Sequence, residues 1–298
     1  IQLVSTYPEE TKIAVRLREF GMDIVRVIGG RVIHPLTNEV GGFKKAPDAE
    51  SLRKIVADSE ARLQDALALG EFFKKIKIPD FQRETEYICL AKDGAYAIYD
   101  GNISSSDGSH IPVEKFENNF HELQKQNEVI KKVDHEGRSY MIGAIARINN
   151  SRSKLNPEAS RYLESLNFVF PDYNPFHNIL YQMVEVIHCI EESNKLIKEL
   201  LNANLENVVT RPYEIKEGIG VAAVEAPRGT LYYHVEVDGK GYIKNVNIIT
   251  PTAQFLANLE DDIAEYIKDI LDLEDQEKQN KLRGFIRAYD PCISCAVH

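Results

Sequence analysis

The sequence predicts an α+β protein, mainly helical, in which long core helices are interrupted by small antiparallel β elements. Three observations carry that reading. Apolar residues recur three or four apart over long stretches, the spacing of a helix with one buried side. Short strand-like runs, bounded by Asp-Gly and other glycine turns, fall between those stretches. The composition, 43% hydrophobic and 28% charged over 298 residues, allows a large buried core, and no internal repeat or low-complexity tract interrupts it.

Taken in order, Pro8-Glu9-Glu10 opens an amphipathic stretch that runs to about Ile28. Its acidic residues lie in the first turn, where the helix dipole favours them, and Gly29-Gly30 stops it. Asp48 to Ile76 predicts a longer helix. Between Glu84 and Asp100, Tyr87-Ile88-Cys89-Leu90, the turn Asp93-Gly94 and Ala95-Tyr96-Ala97-Ile98-Tyr99 predict a hairpin. From Asn178 to Leu201 the apolar residues Ile179, Met183, Ile187, Ile190, Ile197 and Leu201 make one side of a long helix apolar, as in a core pillar. Ile219 to Ile249 is strand-like, interrupted at Arg228-Gly229 and at Asp238-Gly239-Lys240-Gly241, and helices follow near Thr252 to Leu273 and Gln276 to Ala288.

Charge and hydropathy exclude several function classes. A net charge of -10 argues against nucleic acid, because neutralising phosphates needs clustered Lys and Arg, and the one basic run, Lys131-Lys132, is too short. No window is apolar for long enough to span a membrane, and the first residues lack a signal-peptide pattern, so a cytoplasmic protein is expected. The four cysteines do not form a disulfide framework: Cys89 and Cys189 are solitary, whereas Cys292 and Cys295 stand together near the end.

That end reads Asp290-Pro291-Cys292-Ile293-Ser294-Cys295-Ala296-Val297-His298. Two thiols three residues apart can share one metal, because the turn between them brings both sulfurs to one side. A structural zinc site would need a second pair, which the chain lacks. A thioredoxin-like pair would need a following helix to lower the thiol pKa, and only three residues follow Cys295. Two buried packing cysteines are a further alternative, poorly suited to the last turn of a chain. The remaining reading is a thiolate metal site completed by ligands from elsewhere.

The terminal motif resembles the Asp-Pro-Cys-x-x-Cys-x-x-His signature of nickel-iron hydrogenase large subunits, which ends at the histidine where maturation cuts the precursor. Other segments resemble the family in the family's order. Gly29-Gly30-Arg31-Val32-Ile33-His34-Pro35 is similar to its Gly-Gly-x-x-x-His-Pro, and Ala146-Arg147-Ile148-Asn149 to its Ala-Arg-x-Asn. Glu225-Ala226-Pro227-Arg228-Gly229 matches its Glu-Ala-Pro-Arg-Gly, and Thr250-Pro251-Thr252-Ala253-Gln254 resembles its Pro-Thr-x-Gln turn. Two departures stand out. Phe255 replaces the usual Asn, and the family's early Arg-x-Cys-Gly-x-Cys segment is not in the sequence, so residues 1–298 are expected to form a single large-subunit domain lacking that beginning.

The resemblance implies the nickel-iron hydrogenase large-subunit fold and a definite chemistry. Four thiolates hold nickel, two of them bridging to an iron that carries carbon monoxide and cyanide, and hydrogen is split heterolytically between the metals and a base. Cys292 would be a terminal nickel ligand and Cys295 a bridging one. Arg228, with Pro227, would lie over the metals, and Asp290 would hydrogen-bond that arginine and brace the cysteine turn. His298 would ligate a buried magnesium or iron ion, whereas His34 is expected to be structural. The implied partner is an iron-sulfur small subunit, since this chain has no cysteines left for a cluster, together with further electron-acceptor subunits. The similarity favours the cytoplasmic, sulfhydrogenase-like multi-subunit branch, with a nicotinamide, a deazaflavin or an electron-bifurcating disulfide reductase as acceptor. The alternative is a non-catalytic, metal-free subunit of the same fold, related to a quinone-reductase subunit, against which Cys292 and Cys295 discriminate.

Overall fold

A computed structural model describes residues 2–203 and 212–297. In chain order the first elements are helices α1 (Gln2–Thr6) and α2 (Pro8–Gly29), strands β1 (Asn38–Glu39) and β2 (Gly42–Phe43), and helix α3 (Ala49–Phe73). Six short strands follow: β3 (Glu86–Ala91), β4 (Asn102–Ser105), β5 (His110–Ile111), β6 (Phe120–Leu123), β7 (Lys132–His135) and β8 (Tyr140–Met141). Next come helices α4 (Ala144–Ser151), α5 (Pro157–Glu164) and α6 (Asn178–Asn202), then strands β9 (Gly218–Ala226), β10 (Gly229–Val237) and β11 (Ile243–Ile249). Helices α7 (Pro251–Ile270), α8 (Asp275–Ala288) and α9 (Ile293–Ala296) close the succession. The mainly helical α+β class is as the sequence predicts.

The chain divides into two compact units. The first comprises Ile1–Ile76, Asn156–Leu166 and Met183–Ile215. Here α2 ends where the double glycine predicts: Gly30 takes a left-handed φ of 80° and donates its N–H to Arg26 O. A Cβ on Gly29 would lie 2.8 Å from Pro35, so the Gly-Gly-x-x-x-His-Pro segment is a helix stop followed by a close reversal. Exposed His34 sits in that reversal with a φ of 53°. Helices α2 and α3 run antiparallel, since Tyr7 before one packs edge-on against Phe72 at the end of the other, 5.0 Å between rings. Arg16 clamps Asp65 between them through Nε at 2.9 Å and Nη2 at 2.5 Å. Asp48 caps α3 by accepting from the N–H of Ser51. Glu191 of α6 accepts from the first free N–H groups of α5, those of Glu158 and Ala159, each at 3.0 Å. The side of α6 that is buried carries Leu180, Met183, Val184, Ile187 and Ile190, whereas Ile179 is exposed. The apolar stripe therefore begins one residue later than expected, because the helical repeat places 180 and not 179 in line with 183, 184 and 187.

The second unit comprises Lys77–Leu155, Asn167–Gln182 and Lys216–His298. A sheet of order β5-β4-β3-β8 lies beside a β6-β7 hairpin and a β11-β10-β9 meander. The pairs are antiparallel except β3 with β8, a short parallel contact at Glu86 and Tyr87. The hairpin expected between residues 84 and 100 is corrected. Asp93-Gly94 does close a tight turn, with Lys92 bridging Ala95, but the strand paired with β3 is Asn102–Ser105. Ala95–Tyr99 leaves the pairing because Ile98 offers its carbonyl to the N–H of Glu225 on β9, at 2.7 Å. The return is made at Gly101, φ 144°, where a Cβ would meet the carbonyl of Ala91 at 2.7 Å. The core is aromatic: Phe81, Phe176, Tyr266 and Phe285 interlock, and Phe116 and Phe120 stack on Tyr232.

Candidate metal centre

The terminal motif and the β9-β10 turn come together in the second unit. Ala226 pairs with Gly229, leaving Pro227 and Arg228 as the two residues of a tight turn. The end of α8 brings Asp290 to them. Asp290 adopts a φ of 51°, a left-handed conformation that Asp tolerates, and Pro291 then prevents the helix from continuing. The Arg228 Nε donates to the Asp290 carbonyl at 2.6 Å, and its Nη2 donates to Oδ1 at 3.1 Å. The pair is half-exposed, with side chains 36% and 42% accessible. Gln182 approaches the other carboxylate oxygen at 3.4 Å.

Cys292 and Cys295 follow in a single turn, their Cα atoms 5.3 Å apart and their sulfurs joined as a disulfide. The backbone of Cys295 donates to the carbonyl of Cys292, and that of Cys292 donates to the hydroxyl of buried Thr252 at the start of α7, at 3.0 Å. Cys295 is exposed. The turn thus delivers two soft donors at one point, which become metal ligands only as thiolates, after reduction. Among the described residues no group of three or more His, Cys, Asp and Glu side chains could hold a metal ion. The donors on the chain fit as two of a four-thiolate set and do not complete it. Of the other two cysteines, burial pushes the Cys89 thiol up to about 12, with Asn150 in contact with its sulfur, while Cys189 is exposed. His298, expected to hold magnesium or iron, lies outside the described residues.

Beneath the turn lies a buried ion pair whose members stand in the Ala-Arg-x-Asn and Glu-Ala-Pro-Arg-Gly segments, where the sequence alone gives neither a role. Arg147 on α4 donates through Nη1 to Glu225 Oε2 at 2.6 Å and to Ala226 O at 3.1 Å, and through Nη2 to Pro227 O at 3.1 Å. The side chains of Arg147 and Glu225 are 4% and 1% accessible. The second Glu225 oxygen takes the N–H of Leu90 and the hydroxyl of Thr230, each at 2.7 Å. The available signal was a charge in each of two apolar runs, Ala144-Ile145-Ala146-Arg147-Ile148 and Val224-Glu225-Ala226, because buried charges of opposite sign need each other. Glycines allow the tight fit: a Cβ on Gly143 would lie 3.0 Å from Arg228 O, and one on Gly229 would overlap Ile142. Gln254, from the Pro-Thr-x-Gln turn, donates to Thr230 O at 2.6 Å. Phe255 is fully buried against Tyr289, which explains an apolar residue at that departure. Tyr289 in turn donates its hydroxyl to buried Asp262, so the residue before Asp290 is fixed from the core side.

The fold is that of the nickel-iron hydrogenase large subunits. The structure superposes on a chain of an NAD+-reducing [NiFe]-hydrogenase in the H2-reduced state with a TM-score of 0.88 at 21% identity, covering 100% of this chain and 70% of that one. Residues 95–298 match the model of the nickel-dependent hydrogenase family, and the chain belongs to that family of oxidoreductases. Sulfhydrogenase 1 subunit alpha of Pyrococcus furiosus is 33% identical over 304 residues, covering all of this chain and 70% of its own length. NAD-reducing hydrogenase HoxS subunit beta of Cupriavidus necator is 26% identical over 332 residues, covering 99% of this chain and 67% of its own.

Proposed function

We propose that this chain is the catalytic large subunit of a nickel-iron hydrogenase, oxidising hydrogen reversibly to protons and electrons that pass to an iron-sulfur small subunit. The observation that supports it is the turn itself: two sulfurs delivered at one point, beside an arginine tied to the aspartate that precedes them. Reduced, Cys292 would be the terminal nickel ligand and Cys295 the bridging one, with two further thiolates from another Cys-x-x-Cys segment. A nickel-iron centre held there, its iron expected to carry carbon monoxide and cyanide, would supply the redox chemistry of hydrogen. The chain's own residues place and surround it. Arg228, a permanent planar cation, keeps Nη1 free of its hydrogen bonds to Asp290, and can direct it to a cyanide or to the space where hydrogen arrives. Pro227 would lie over the metals beside it, and Asp290 orients the guanidinium through its carbonyl and Oδ1. His298 would hold magnesium or iron.

The names of the relatives, subunits of multi-subunit hydrogenases, support partners that include electron-acceptor subunits, and on this reading the enzyme is cytoplasmic and residues 1–298 are one large-subunit domain. No described helix is long and apolar enough to cross a membrane. A non-catalytic, metal-free subunit or fragment of the same fold, serving in complex assembly, is the second reading. The test is metal analysis of the purified complex with hydrogen-dependent dye reduction, in wild type and Cys295→Ser. One nickel per complex and loss of activity in the variant are expected, because a hard hydroxyl cannot replace a bridging thiolate. Full activity in Cys295→Ser, or a wild-type complex without nickel, would sink the proposal.

A further inference from the structure

We infer that Arg147 is a positioning residue for Arg228: it fixes, from beneath, the peptide that carries the arginine proposed to face the metals. The inference rests on that reading of Arg228 only for its catalytic consequence, not for its geometry.

The Pro227 carbonyl that Arg147 Nη2 holds at 3.1 Å belongs to the peptide unit whose nitrogen is that of Arg228. The Ala226 carbonyl that Nη1 holds at 3.1 Å belongs to the preceding one. One planar guanidinium therefore sets two successive peptide planes of a two-residue turn. Glu225 sets the guanidinium, because its Oε2 takes Nη1 at 2.6 Å while Leu90 and Thr230 hold its other oxygen. On the far side of the turn the Arg228 carbonyl approaches Gly143 closely: it lies 3.0 Å from where a Cβ on that residue would stand, an approach that glycine allows at its φ of 88°. With the two peptides that lead into it held, the Arg228 side chain leaves the turn towards Asp290. The half-exposed Arg228–Asp290 pair could not impose that direction alone, since pairs of this exposure hold their geometry weakly. A lysine at 147 could not substitute, because a point ammonium lacks the fork that reaches two carbonyls and a carboxylate in one plane.

The Arg228 Nε–H is the reporter, since it donates to the Asp290 carbonyl at 2.6 Å. In the full chain labelled with nitrogen-15, that signal is identified by its loss in Arg228→Lys, and its solvent exchange is measured by NMR. Exchange should quicken at least about tenfold in Arg147→Lys and in Glu225→Gln, with the fold retained by circular dichroism. Glu225→Gln keeps an acceptor for Leu90 and Thr230 and breaks only the ion pair, so it carries the test should Arg147→Lys fail to fold. Unchanged protection of the Nε–H in a folded variant overturns the inference. A second arm separates it from the hydrogenase reading: in the nickel-loaded complex, Arg147→Lys should lower the rate at saturating hydrogen in parallel with Arg228→Lys, with nickel retained. Faster exchange with an unchanged rate would leave Arg147 as the positioning residue and overturn the placement of Arg228 over the metals.

Discussion

Two arginines meet at one hairpin with nearly the same partners and opposite surroundings. Arg147 binds one carboxylate and two carbonyls, and its side chain is 4% accessible; Arg228 binds one carboxylate and one carbonyl, and its side chain is 36% accessible. Contact lists alone would rank them alike. Burial separates them, because a charge removed from water depends wholly on its partners, whereas one that keeps water can exchange a partner at little cost. The buried arginine is committed to structure, and the half-exposed one retains donors for a ligand. A rigid base under an adaptable tip suits a group that must meet something arriving from outside the chain.

The largest expected effect breaks the buried member. Glu225→Ala removes the carboxylate that Arg147 binds in the core, which should cost about 3 to 5 kcal/mol of stability by urea unfolding. A loss below about 1 kcal/mol would show that water reaches Arg147 and that burial does not separate the two arginines. The exposed member should behave in the reverse way. Arg228→Lys should slow hydrogen oxidation in the loaded complex at least about tenfold, about 1.4 kcal/mol of barrier, with nickel still bound. Arg228→Ala should change unfolding stability by less than about 1 kcal/mol, since its pair with Asp290 is largely solvated. An unchanged rate, or a stability loss like that of Glu225→Ala, would make Arg228 a second structural arginine.

The sequence reveals the parts of this arrangement better than their joints. Helix stops at Gly29-Gly30 and the break of the strand region at Arg228-Gly229 are local, written in residues whose backbone preferences act within one turn. The expected strand Ala95–Tyr99 misled because the deciding contact is not local: Ile98 gives its carbonyl to Glu225, far along the chain. The same limit hid the ion pair. Arg147 and Glu225 each stood inside a quoted motif, and nothing within either segment reveals that one lies under the other. Thr252 and Tyr289 are legible only once α7 and α8 are seen to hold the cysteine turn and Asp290 between them.

The smallest effect sharpens the comparison by adding a buried pair that can lose its charge. His135 Nδ1 lies 2.8 Å from Glu86 Oε1, both side chains nearly inaccessible, with Phe120 stacked on the imidazole. Ser105 also donates to that oxygen, while Arg138 faces the other Glu86 oxygen at 3.5 Å. The hydrogen bond and the charge of Glu86, with Glu136 and Asp107 nearby, hold the imidazolium above the usual histidine range, against the opposing pull of burial. A folded-state pKa raised in this way contributes stability that is fully present below the unfolded value near about 6.5 and is lost as pH rises through the higher folded value. Arg147–Glu225 cannot do this, since a guanidinium stays charged throughout. Urea midpoints measured from about pH 6 to about pH 9 should therefore fall for wild type and fall less for His135→Gln, which keeps a donor for Glu86 but has no titrating ring. Equal slopes for the two proteins would show that folding leaves the His135 pKa unshifted, and that this buried pair adds no pH-dependent stability.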